Sequence, residues 1–176
     1  MIDLHVHTTA SDGQYTPSQI IQMASEKNIS TIAITDHDTV AGLEEGAKAA
    51  AESNLTFVPG TELNINFPTG EFHLLGLGFK KISASLEELL AALVKNRETR
   101  NIQIIEKMRE AGVDITLEEM YADFPDTVLG RPHFAAELVK KKIVKTRQQA
   151  FDRYLAKGRP WYVQRVGSNL DEAIIA

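Results

Sequence analysis

The opening of the chain places Asp3, His5 and His7 in alternation with Ile2, Leu4 and Val6, and Asp12 follows in the loop beyond. Side chains two apart on a β-strand share a face. A strand here shows a carboxylate and two imidazoles on one side and an apolar row on the other. Two imidazoles at a strand end, followed by a loop carrying a carboxylate, make half of a metal site. The chain has no cysteine, so the other half must come from His, Asp and Glu. Its five histidines are His5, His7, His37, His73 and His133. His37 follows the apolar run from Ile29 to Ile34, and Glu62 closes Pro59-Gly60-Thr61-Glu62. None of the five falls on an outer helical face, where scattered structural histidines would be found. Imidazole and carboxylate donors suit Zn, Mn or Fe better than Mg or Ca. Clustered cations repel one another, so Asp12 and Glu62 are the anions that would hold them together, and Glu62 can bridge two. Such a cluster activates water near neutral pH and stabilises both oxygens of a phosphoryl transfer.

These groups need a scaffold that gathers strand ends. After β-rich residues 2–6, Thr16-Pro17 reads as an N-cap with proline at the first helical position. Ile20, Ile21 and Ala24 form a helical stripe ending near Asn28. Ile29 to Ile34 is a second strand, Leu43 to Glu52 an Ala-rich helix, and Leu55 to Val58 a third strand. Leu63, Ile65 and Phe67 alternate with polar residues, and after a Pro68-Thr69-Gly70 turn the run Glu71 to Phe79 completes a hairpin. Alternating strands and helices predict a parallel α/β sheet or barrel, whose functional residues collect at the C-terminal ends of the strands. From Ser83 the pattern becomes helical: Ser85 to Ala111, Thr116 to Phe124 with a capping box at Thr116 and Glu119, Gly130-Arg131-Pro132-His133 through Val139, and Arg147 to Ala156. The expected division is residues 1–82 as the first part of a barrel, 83–160 as a helical insertion or cap, and 161–176 as a return to the barrel.

The 176 residues and 43% apolar content suit one domain with a real core. No apolar run approaches a membrane span and no signal-peptide order opens the chain, which with the lack of cysteine fits a cytoplasmic protein. The net charge of −5 does not advertise a nucleic-acid binder. No feature marks an obligate protein partner.

Asp3-Leu4-His5-Val6-His7-Thr8 with Ser11-Asp12-Gly13, Ile34-Thr35-Asp36-His37-Asp38, Gly60-Thr61-Glu62, Phe72-His73-Leu74-Leu75-Gly76 and Gly130-Arg131-Pro132-His133 together resemble the PHP (polymerase and histidinol phosphatase) family. The motifs stand in family order and are nearest to its branch of nucleoside 3′,5′-bisphosphate phosphatases and 5′→3′ exoribonucleases. The resemblance implies a distorted (β/α)7 TIM-like barrel, incomplete here, with a trinuclear metal site. It implies that His5, His7 and Glu62 bind a first metal, that Glu62 bridges to a second held by His73 and His133, and that Asp12 and His37 hold a third. Arg131 is the residue to grip a phosphate, since a guanidinium matches phosphate oxygens. The family closes its site with a late Asp-x-His, and no histidine follows His133. The chain is therefore expected to be part of a longer protein, whose closing ligands lie beyond Ala176.

The implied activity is metal-dependent hydrolysis of phosphate esters in a nucleotide or short oligonucleotide, with Mn, Zn or Fe as cofactor and up to three ions in the full-length protein. The alternatives are a small-metabolite phosphatase, such as one for histidinol phosphate, and a non-catalytic metal- or nucleotide-binding module. Lys95, Arg97 and Arg100 read as a solvated helix face or, failing that, as contacts for a second phosphate. Lys140, Lys141, Lys142, Lys145 and Arg147 read as a basic helix end. Trp161 and Tyr162 read as core packing rather than as a base-stacking pair.

Overall fold

The computed structural model describes residues 1–67 and 70–176, and these form two compact units, residues 1–94 with 167–176 and residues 95–166. In the first unit β1 (Ile2–Val6), α1 (Pro17–Glu26), β2 (Thr31–Ile34), α2 (Leu43–Glu52) and β3 (Thr56–Phe67) alternate, and β4 (Gly70–Leu77) folds back on β3. The sheet order is β1-β2-β3-β4, parallel across β1–β2 and β2–β3 and antiparallel across β3–β4. Parallel neighbours joined by helices are the wall of an α/β barrel. Of the predicted hairpin turn, Pro68 and Thr69 lie outside the described residues.

Local chemistry fixes these elements. Thr16 and Gln19 complete both halves of a capping box, with Pro17 opening α1. Ile21 and Ala24 on α1 then pack with Ile32 and Ala50. Gly46 lets α2 lie close to the sheet, since a Cβ there would fall 2.5 Å from Ile34 Cδ1. Leu63 and Ile65 of β3 pack against Leu86, Leu90 and Leu93 at the start of α3 (Ala84–Glu110), and Leu170 of α7 (Leu170–Ile175) packs on the same cluster.

Two features differ from expectation. The third strand does not stop at Val58 but runs unbroken through Pro59 and Gly60 to Phe67. Pro59 has no N–H to give, yet its carbonyl accepts the Gly78 N–H at 2.8 Å, so the strand survives the proline. The apolar row of β1 is also poorly covered, with Ile2 63% and Leu4 39% exposed. β1 is an edge strand with β2 as its only described neighbour.

The second unit contains the end of α3, α4 (Leu117–Asp123), α5 (Arg131–Lys140) and α6 (Arg147–Ala150). The helix expected to continue to Ala156 instead widens into a π-helical turn over Phe151–Leu155, where the Ala156 N–H bonds Phe151 O. Apolar spacing does not separate the two windings. Ile104, Met108, Ile115, Met120, Phe134, Leu138 and Leu155 form the core. Trp161 stacks on Tyr154 at 4.1 Å and belongs to that core. Arg97 and Arg100, expected on a solvated face, are buried. Arg100 bonds Asn101 Oδ1 at 2.7 Å, and Asn101 donates to Leu129 O at 3.1 Å, just ahead of α5. The basic helix end is ion-paired: Lys140 meets Asp123 and Lys141 lies 3.7 Å from Glu119.

Candidate metal centre

The parallel strands deliver their polar residues to one rim. His37 follows β2 and forms a parallel bridge with Glu62 of β3. The Glu62 N–H bonds Asp36 O at 3.1 Å, and the Asp38 N–H bonds Glu62 O at 3.0 Å. This double link fixes the His37 backbone against that of Glu62. Asp38 reaches it in a left-handed conformation, φ 55°. Across β3–β4, Glu62 faces Leu75 and Asn64 faces His73. Opposed residues of an antiparallel pair share a face, as do residues two apart. His73 therefore stands on the same side as Glu62.

Glu62 is the hub. It is 2% exposed. Its Oε2 lies 2.7 Å from His7 Nε2, 3.1 Å from His5 Nε2 and 3.4 Å from His37 Nδ1, and its Oε1 lies 2.6 Å from His73 Nδ1. Asp12 Oδ1 is 2.7 Å from His7 Nδ1, and its Oδ2 is 3.8 Å from His37 Nε2. The rings follow one another at centroid spacings of 5.2 Å for His5–His7, 4.7 Å for His7–His37 and 4.9 Å for His37–His73. Among the described residues, three sets have ligand atoms within 4.8 Å of one another: His5, His7, Glu62; His7, Asp12, His37; and His37, Glu62, His73. Asp3 has a lesser place, its Oδ1 accepting the His5 N–H at 3.3 Å.

Groups packed so closely are satisfied either by protons or by cations. Burial alone would lower the pKa of His7, but its bonds to Asp12 and Glu62 outweigh that and raise it to about 10. Burial would raise Glu62, yet His7 and His73 hold its carboxyl well below the ordinary carboxylate range. Without metal, His7 is an imidazolium held between two carboxylates. A divalent cation can replace that proton at Nε2, leaving the Nδ1–H on Asp12, the arrangement that orients metal-bound histidines. The donor set, imidazole and carboxylate without thiolate, fits divalent transition-metal chemistry.

In the metal-stripped protein the His7 proton contributes to stability. The folded value for His7 lies above its unfolded 6.5, so its contribution to stability is complete below about pH 6.5 and is lost as the pH rises through about 10. Melting temperature should fall across that window, and His7→Gln should flatten the decline. A wild-type melting curve no steeper than that of the variant would refute the paired imidazolium.

The other two predicted residues are in the second unit. His133 lies in the first turn of α5, where its Nδ1 accepts the Gly130 N–H at 2.8 Å. A histidine ligating through Nε2 carries its proton on Nδ1, so His133 joins a metal only if that bond is released. Phe124 packs edge-on against its ring at 4.8 Å. The Arg131 guanidinium sits over the Tyr162 ring, 5.2 Å from its centroid, a cation–π contact. Sequence reasoning did not anticipate this pairing and placed Tyr162 with Trp161 in the core.

Residues 3–154 match the PHP domain. The chain is 33% identical over 172 residues to a 5′-3′ exoribonuclease of Haemophilus influenzae, covering 98% of this chain and 62% of that protein. It is 33% identical over 175 residues to a 3′,5′-nucleoside bisphosphate phosphatase of Chromobacterium violaceum, covering 98% of this chain and 61% of that one. A solved structure from Bifidobacterium adolescentis, named as a candidate metal-dependent phosphoesterase, superimposes with a TM-score of 0.92 at 28% identity, over 98% of this chain and 61% of that one. The chain thus spans about three fifths of the length of the curated relatives it matches.

Proposed function

The chain belongs to the PHP domain family, and from that premise we propose that it carries the metal-binding rim of a phosphoesterase acting on nucleotides or short oligonucleotides. The observation that supports this reading is the buried Glu62 carboxylate contacted by four imidazoles. His5, His7 and Glu62 would hold one ion, and Glu62 with His73 and His37 a second. Asp12 would serve a third with His37 and His7. The ions would be Mn, Zn or Fe by donor type. Bound divalent cations supply an activated water and neutralise charge on the phosphoryl oxygens. The protein fixes these positions: Glu62 joins two groups, and Asp12 orients the His7 ring. Arg131 would hold a phosphate by paired charge-assisted bonds. The two relatives described above, each matched over 98% of this chain, are named for RNA and a nucleoside bisphosphate, which favours those substrates over small metabolites. No helix among the described residues is long and apolar enough to cross a membrane, and we place the protein in the cytoplasm, where such substrates are found.

The test is to strip the protein, reload it with Mn, Zn or Fe, and assay nucleoside bisphosphates, 5′-phosphorylated oligonucleotides and histidinol phosphate side by side. Metal uptake without hydrolysis of any of these would leave a binding module instead of an enzyme. Hydrolysis of histidinol phosphate alone would move the assignment to metabolites. Arg131→Ala should raise KM by about 10- to 100-fold with a smaller change in kcat, the loss of a charged hydrogen bond of roughly 1.5–3 kcal/mol. Unchanged KM would remove Arg131 from the phosphate site.

A further inference from the structure

Asp36 is 1% exposed, and among the described residues no cation pairs with it. A carboxylate is buried this deeply only when its oxygens are satisfied. Its Oδ1 accepts the Thr8 N–H at 2.7 Å and the Ser11 hydroxyl at 2.5 Å, and its Oδ2 accepts the Thr8 hydroxyl at 2.6 Å. Thr8 in turn organises the loop. Its Oγ1 accepts the Ala10 N–H at 3.2 Å, and its carbonyl accepts the Ser11 and Gly13 N–H groups at 3.0 and 2.9 Å.

The members of this network have a specific relation to the rim. Thr8 follows His7, Ser11 precedes Asp12, and Asp36 precedes His37. Each is the chain neighbour of one member of a single ligand group, His7, Asp12 and His37. We propose that Asp36 is a positioning residue: its side chain clasps the Thr8–Gly13 loop to β2 and so sets the affinity of the metal subsite formed by His7, Asp12 and His37. Asp36 donates nothing to the metal. It places the two side chains that come from the loop side, His7 and Asp12, at a fixed spacing from His37, which its own backbone carries. Groups that fix the orientation of metal ligands typically govern affinity by about 10- to 100-fold, and the clasp does so through the backbone that carries them.

The inference rests on the metal-centre reading, and its test separates the two. Cobalt(II) is titrated into the metal-stripped protein and followed by its visible absorbance, with circular dichroism as the check on folding. Thr8→Val and Asp36→Asn should weaken the class of sites that contains Asp12 about 10- to 100-fold, with a smaller loss in the sets that share only His7 or His37 with it. Thr8→Ser, which keeps the hydroxyl, should restore wild-type affinity, and Ser11→Ala, which removes the hydroxyl's bond to Asp36 at little cost in volume, should give a smaller loss in the same class. If folded Ser11→Ala and Thr8→Val proteins titrate as wild type does, or if every class weakens by the same factor, the clasp is refuted. Absence of cobalt uptake by the unaltered protein would overturn the centre and the clasp with it.

Discussion

Glu62→Gln should leave a folded protein with turnover reduced about a thousandfold or more, because the lost charge is worth several kcal/mol where cations and a phosphoryl group meet. Glutamine keeps the volume of a side chain that is 2% exposed, so no cavity opens and the fold should hold. What changes is charge and polarity of contact. Both Glu62 oxygens lie 2.6–3.4 Å from imidazole nitrogens. An amide places an NH2 group against one of those sets, and a neutral oxygen is a weak bridge between two cations. Glu62 belongs to two of the three candidate ligand groups, so metal content should fall in both while the His7–Asp12–His37 group is the least affected. Metal analysis after dialysis, paired with kcat/KM on the best substrate, measures this. A Glu62→Gln protein that keeps its full metal content and its rate would remove Glu62 as the hub.

The rim was legible in sequence because strand alternation has a fixed period: Asp3, His5 and His7 could share a face only one way, and His37 and Glu62 stood just after apolar runs. The family resemblance placed His73 with Glu62, but what spacing alone could not show depended on pairing. His73 reaches Glu62 because the β3–β4 register sets Asn64 against His73 and Leu75 against Glu62, and a slip of one residue would have turned His73 to the other face. Nothing in the spacing distinguishes Asp36 from Asp38, each adjacent to His37. Only the fold sends Asp36 to the Thr8 loop, while the Asp38 backbone bonds Glu62 O. The burial of Arg97 and Arg100 was hidden too. The carbonyl that Arg100 bonds, at Leu129, is distant in sequence, and a polar stretch on a long helix reads as a wet face until that partner is known.

Gly13→Ala should test how tightly the loop is built, and its effect should be large for so small a change. Gly13 is not at a positive φ, so the constraint is space rather than backbone strain. A Cβ there would lie 2.4 Å from His7 O, 2.5 Å from His7 C and 2.7 Å from Thr8 Cα. All three are backbone atoms that cannot swing aside, so the loop itself must move. Overpacking of this kind costs about 1–3 kcal/mol. The displaced segment includes Asp12, and misplacement by roughly 1 Å in a reacting site can cost about a hundredfold in rate. The expected result is therefore a lowered melting temperature together with loss of the metal class that depends on Asp12. Gly112→Ala supplies the contrast. Gly112 has φ 79° and open space around it, so alanine there should cost about 1–2 kcal/mol of backbone strain and leave metal binding intact. If the two variants lose stability alike and both keep every metal, the close approach at Gly13 shapes the loop without shaping the site. If only Gly13→Ala loses metal, the small residue after Asp12 is part of how the carboxylate is aimed at His7 and His37.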